Sequence, residues 1–141
     1  MAEVEIGIGK TARRAYRLDD VAIVPSRRTR DPEDVDISCE IDAYRFEAPV
    51  LAAPTDSVTS PATAIELGRL GSAGVLHLEG LWTRYEFPEK IFEEIAELPD
   101  AKATRRLQEI YAEPVKPELI GPRIAQIKAA GVTCAVAVTP N

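Results

Sequence analysis

The chain has 141 residues, 45% hydrophobic and 28% charged, with a formal net charge of −6, which allows one core and argues against a general nucleic-acid binder. No run approaches the ~20 apolar residues of a membrane helix, and the acidic amino terminus is unlike a signal peptide. Two widely separated cysteines and a single histidine exclude a structural zinc site and suit a reducing compartment, so the expected location is the cytoplasm.

In chain order, Val4, Ile6 and Ile8 alternate with polar positions over 3–9, predicting a half-exposed strand. Residues 19–25 predict a short strand or turn-strand that stops at Pro25, and 26–36 a loop rich in Arg, Asp and Pro. Residues 1–30 hold seven cations (Lys10, Arg13, Arg14, Arg17, Arg27, Arg28, Arg30) against four anions, an excess of three that leaves −9 on the remainder. This basic arm suits acidic surface on its own or a neighbouring subunit, or contact with a ligand phosphate. Alternation returns over 35–41, expected to be one side of a hairpin.

The centre of the chain reads strand, loop, helix, strand. The apolar run 49–53 predicts a strand covered on both faces. Pro54-Thr55-Asp56-Ser57 is a polar loop at its end. Ser60 is an N-cap hydroxyl, and Pro61 suits the first helical position, where a missing N–H is harmless. Ala64, Ile65, Leu67 and Leu70 supply a buried helical stripe, Gly71 a stop, and 73–76 the next strand. Two buried strands joined by a helix make a right-handed βαβ unit, and such units bind ligands at the carboxyl ends of their strands. Helices follow over 88–98 and 101–112, separated by Pro99 and Asp100. A third runs over 117–131 to a stop at Gly131, with Pro122 starting its main body, and a strand over 132–138 ends the pattern.

Three blocks carry a resemblance. Leu18-Asp19-Asp20-Val21-Ala22-Ile23-Val24-Pro25, Ala52-Ala53-Pro54-Thr55-Asp56-Ser57-Val58-Thr59 and Gly74-Val75-Leu76-His77 resemble, in order and interval, the IMP dehydrogenase and GMP reductase family. The opening 7–14 and the segment 42–46 resemble its dehydrogenase-related branch without paired CBS regulatory domains. The interval between Gly80 and Glu118 is too short for a CBS pair. The resemblance implies an α/β fold, the amino-terminal part of a (β/α)8 TIM barrel, because 141 residues fall well short of the roughly 250 of a complete barrel. Residues 1–45 are then a hairpin-like extension that could plug the barrel's amino-terminal end, and 46–141 the first three barrel strands with their helices. A strand followed at once by the terminus has no covering helix, so the chain alone is expected to associate or melt poorly.

The resemblance also implies a chemistry. A thiolate attacks C2 of IMP, hydride passes to NAD, and water releases XMP. The family's nucleophile sits on a Gly-rich loop that neither Cys39 nor Cys134 matches, so both read as structural, with no catalytic residue in this chain and no turnover by it alone. The implied cofactor is NAD, alternatively NADP, with a monovalent cation held by downstream residues. The implied assembly is a homotetramer. GMP reductase, or a non-catalytic barrel fragment, are the alternatives.

Ala53, Thr55 and Asp56 match the family loop that touches the base and ribose of the nucleotide. Thr55 stands where the family usually has Met, exchanging a thioether for a hydroxyl. The residues themselves leave a second reading open, in which Asp56 and Ser57 cap backbone N–H groups before the helix at Ser60. His77 reads as a rim or core histidine, with no partner in sight for a base. Trp82 and Tyr85 read first as packing and otherwise as a base-stacking or subunit-covering pair. Gly7-Ile8-Gly9 is too short and too early for a dinucleotide loop.

Overall fold

The computed structural model describes residues 3–24 and 31–140, in two compact units, Met1–Asp36 and Ile37–Asn141. Arg27, Arg28, Arg30 and the strand stop expected at Pro25 lie outside the described residues.

In the first unit β1 (Glu3–Gly7) pairs antiparallel with β2 (Lys10–Arg13), placing Glu3 opposite Arg13 and Val4 opposite Ala12. All five residues of β1 are exposed. The half-exposed strand expected here is thus corrected: a two-stranded ribbon has no second layer to bury its apolar side. Gly7-Ile8-Gly9 lies at the bend of this ribbon, which is no setting for a phosphate loop before a helix. Of the short strand or turn-strand expected over 19–25, only the turn forms among the described residues. Leu18–Asp20 forms a 3₁₀ turn, and irregular backbone follows to Val24. The Arg17 N–H donates to the Asp20 carboxylate at 3.0 Å, a local bond that competes with strand pairing. A second 3₁₀ turn, Pro32–Asp34, begins at its proline.

The second unit opens with a hairpin, β3 (Cys39–Ile41) against β4 (Tyr44–Phe46), so the partner of the second alternating stretch is the segment directly after it. Asp42 takes a φ of 53° in the turn, a conformation its short polar side chain tolerates. Three parallel strands follow in the order β5 (Leu51–Ala52), β6 (Ala73–His77), β7 (Ala135–Ala137), with Leu51 opposite Ala73 and Val75 opposite Ala135. Helix α1 (Pro61–Arg69) joins β5 to β6. Helices α2 (Glu89–Glu97), α3 (Asp100–Ala112) and α4 (Pro117–Ala129) fill the interval to β7.

Local chemistry explains the boundaries of α1. The Ser60 hydroxyl accepts the Thr63 N–H at 3.0 Å, with Pro61 at the first helical position. Gly71 ends the turn after α1 at φ +78°, and a Cβ there would meet Glu47 Cβ at 2.6 Å. Only glycine meets both demands. Pro122 does not start α4, as expected, but lies within a helix that runs unbroken from Pro117. The first turn is already closed by Leu119 N–H donating to the Lys116 carbonyl at 3.0 Å, so Pro122 removes one later bond without ending the helix.

The core lies between the sheet and its helices. Leu76, Ala64 and Ile127 are fully buried, joined by Leu78 and Trp82, with Phe92, Ile120 and Ile124 packed around them. Side chains alternate along β6, so Gly74 and Leu76 face the helices while Ala73, Val75 and His77 face the opposite side. Gly74 brings the sheet close to α1: a Cβ there would stand 2.8 Å from Ala64 Cα. The opposite face meets the β3–β4 hairpin at the beginnings of the strands. There Ile41, Tyr44, Phe46, Leu51, Val75 and Cys134 border a cavity of about 200 Å³. Leu51 stays 49% exposed, which corrects the expectation that the 49–53 strand is covered on both faces.

Candidate functional site

Because the three strands are parallel, their carboxyl ends gather on one side, and the loops leaving them meet there. Ala53, Thr55 and Asp56 follow β5, Glu79 and Gly80 follow His77 at the end of β6, and Thr139 follows β7.

The β5 loop is held in shape by its own groups. The Ala53 carbonyl accepts the Thr59 hydroxyl and the Thr55 N–H, each at 2.8 Å, and the Thr55 carbonyl accepts the N–H groups of Val58 and Thr59. Thr59 is buried, whereas Ala53 and Thr55 are exposed. The loop is therefore fastened from beneath and presents these two residues outward.

Asp56 does not cap the α1 end. Ser60 performs that service itself, and the Asp56 carboxylate turns to the neighbouring loop. Its Oδ2 accepts the Leu81 N–H at 3.0 Å and the Tyr111 hydroxyl at 2.6 Å. The first bond caps the 3₁₀ turn Leu81–Thr83 from outside its own segment. A Cβ on Gly80 would stand 2.2 Å from Asp56 Oδ1, so glycine there is what lets the carboxylate approach. Oδ1 is buried with no hydrogen-bond partner among the described residues. Partial burial, then the bond to Asp56, holds the Tyr111 phenol above its ordinary pKa, with Arg84, 5.9 Å from the ring centre, acting the other way. A cleft of about 410 Å³ opens beside these groups, bordered by Thr55, Asp56 and Tyr111 and by the apolar Leu81, Phe92, Ile95 and Leu107.

At the next strand end, His77 Nε2 lies 4.0 Å from the Glu79 carboxylate, the partner the sequence did not reveal. That separation suits an ion pair with a protonated imidazole and is too long for a hydrogen bond. Glu79 accepts the hydroxyl and the N–H of Thr139, and this bonding lowers its pKa below the ordinary carboxylate range. The β6 and β7 ends are thereby joined.

Trp82 belongs to the core, and the Tyr85 hydroxyl donates to the Ile110 carbonyl at 2.9 Å, so both serve packing here. Arg123 on α4 clasps the same segment, donating to the Trp82 carbonyl at 3.0 Å and the Glu86 carbonyl at 2.7 Å. Both cysteines are free thiols. Cys39 begins β3 and Cys134 directly precedes β7, away from the gathered strand ends, and burial raises the Cys134 pKa. No group of metal-ligating side chains occurs among the described residues, nor is any helix there long and apolar enough to cross a membrane.

Sequence reasoning missed Tyr111, which falls within the helix expected over 101–112. A tyrosine in an aliphatic stripe was the available signal, since its hydroxyl needs a partner when the ring is half-buried.

Comparison with known proteins adds a family. The IMP dehydrogenase / GMP reductase domain family matches residues 15–132. A Mycolicibacterium smegmatis protein named as an uncharacterized oxidoreductase is 51% identical over 143 residues, 98% of this chain and 38% of its own length. An inosine-5'-monophosphate dehydrogenase of Methanocaldococcus jannaschii is 39% identical over 66 residues, 47% of this chain and 13% of its own. The crystal structure of an IMP dehydrogenase/GMP reductase-like protein from Corynebacterium glutamicum matches with a TM-score of 0.77 and 46% identity, over 98% of this chain and 38% of that one. The chain thus spans 38% of the length of the relatives it matches almost end to end.

Proposed function

Because this chain belongs to the IMP dehydrogenase / GMP reductase family, we propose that it is the amino-terminal part of an oxidoreductase that converts IMP to XMP. In this reading β5, β6 and β7 are the first three strands of a (β/α)8 barrel. The observation that carries it is the β5 loop, fastened from beneath by Thr59, exposing Ala53 and Thr55 at the carboxyl ends of parallel strands. Barrel enzymes build their active sites there.

The chain's share of the work is binding. The exposed Thr55 hydroxyl meets the purine ring, and Asp56 sets the loop's position against the β6 loop. Among the described residues Gly7-Ile8-Gly9 does not fit a dinucleotide, because it sits in an antiparallel ribbon. When bound elsewhere in the complete protein, NAD would accept the hydride. The nucleophilic thiolate is assigned outside this chain too, because Cys39 and Cys134 lie away from the strand ends. We assign the protein to the cytoplasm, as a homotetramer.

The test is turnover by the complete protein, followed through reduced cofactor and XMP. IMP with NAD should yield both, and the isolated chain neither. Consumption of GMP and NADPH with release of ammonia would replace this reading with GMP reductase, and activity by the isolated chain would refute the assignment of the nucleophile.

A further inference from the structure

Asp56 is held by a group 55 residues further along the chain, on a helix that belongs to a different strand connection. We propose that Tyr111 is a positioning residue for the nucleotide loop, fixing Asp56 and through it the presentation of Thr55. The inference rests on the functional reading above and goes beyond it, because it ties recognition at the β5 loop to the helical connection between β6 and β7.

Three observations carry it. First, Asp56 Oδ2 accepts from both the Leu81 N–H and the Tyr111 hydroxyl, so this oxygen is engaged with protein and Oδ1 is buried behind it. Two donors from different segments on one oxygen fix the carboxylate more narrowly than either alone. Second, the end of α3 that carries Tyr111 is itself fastened. The Ile110 carbonyl accepts the Tyr85 hydroxyl at 2.9 Å, the Glu113 carbonyl accepts from Arg84, and the Lys116 N–H donates to the Thr83 carbonyl at 2.8 Å. Ile110 is 1% exposed, so the backbone beneath Tyr111 is anchored in packing as well. Third, Tyr111 is 39% exposed, which separates the hydroxyl's role from that of a core side chain. Removing the hydroxyl alone leaves the packing in place.

The variant is Tyr111→Phe in the complete protein. IMP affinity, measured by calorimetry, should weaken by roughly tenfold, the scale of one hydrogen bond to a carboxylate, while the melting temperature stays close to the parent's. In an Asp56→Ala background the same substitution should change affinity no further. Unchanged affinity, losses that simply add in the double variant, or a fall in melting temperature that accounts for the whole loss would each overturn the proposal. Amide exchange gives a readout that needs no nucleotide: the Leu81 N–H and the 55–59 segment should exchange faster in Tyr111→Phe. Should the parent fail to bind IMP, the functional reading falls, and exchange still decides the positioning. Faster exchange there upholds it, and unchanged exchange overturns it.

Discussion

The two faces of the parallel sheet differ sharply. Toward the helices, Leu76 is fully buried against Ala64 and Ile127, with Trp82 in the same cluster. Toward the other side, Leu51 is 49% exposed, and Val75, Ala135 and Ala137 are only partly covered, although all are apolar. Within β6 the two environments alternate from Gly74 to His77, while Ala73, beside the hairpin, is buried on the other face. Apolar composition therefore marks both faces as interior, but the described chain covers one with helices and the other only at the strand beginnings, with the β3–β4 hairpin. The contrast does not extend to β7, where Val136 lies on the helix side opposite Leu76 and is 41% exposed, while Ala135 and Ala137 are partly buried.

The largest effect that sharpens this comparison is a pair of truncations one residue apart. In the isolated chain Leu76→Ala should lose roughly 2–5 kcal/mol, the range for emptying a fully packed site. Val75→Ala should lose about 1 kcal/mol or less, because its methyl groups leave water only in part. Denaturant melts measure both. Equal losses would mean that the second face is covered, for instance by self-association, and sedimentation would then show the assembled species.

A smaller effect, with opposite signs, comes from two glycines. Gly74→Ala forces a Cβ to within 2.8 Å of the α1 backbone at Ala64, so sheet and helix must separate, at a loss of roughly 1–3 kcal/mol. Gly121→Ala in α4 meets nothing within 4 Å and should gain about 0.5–1 kcal/mol from helix propensity. Thermal melts that moved in the same direction for both would break the claim that Gly74 is a close contact between sheet and α1 and Gly121 is not.

The smallest effect is a pH dependence away from both faces, at Tyr111. Its folded-state pKa is raised, so as pH climbs past the ordinary tyrosine value of about 10 the unfolded chain releases the proton first. The folded state then binds more protons, and stability falls with pH. The contribution is complete below the ordinary value and disappears as pH approaches the folded one. Tyr111→Phe should flatten this alkaline decline in a series of melts, and an unchanged decline would assign it to other groups.

Much of this was legible from short-range chemistry. Ser60, Pro61 and Gly71 bounded α1 because caps and positive φ are properties of a few consecutive residues. The βαβ order followed from buried apolar runs around an amphipathic helix. The place of Ala53, Thr55 and Asp56 in a loop after a strand was legible as well. What they bond to was not. Asp56 could be read as a cap for the next helix because the candidate donors lay nearby in sequence, whereas its observed partners are Leu81 and Tyr111. Over 19–25 the strand failed and the turn held because Asp20 offered a bond to the Arg17 N–H within three residues.

By itself, then, the sequence determined the elements whose causes are local: the capped helix, its glycine stop, the alternation of apolar positions and the family to which the chain belongs. Tertiary structure alone decided that Asp56 reaches across to Tyr111, that His77 stands near Glu79, and that one face of the sheet is covered by helices while the other is covered only in part. The physical reason is that a side chain's hydrogen bonds and burial depend on which distant segments the fold brings within a few ångströms, and neither composition nor periodicity encodes that proximity.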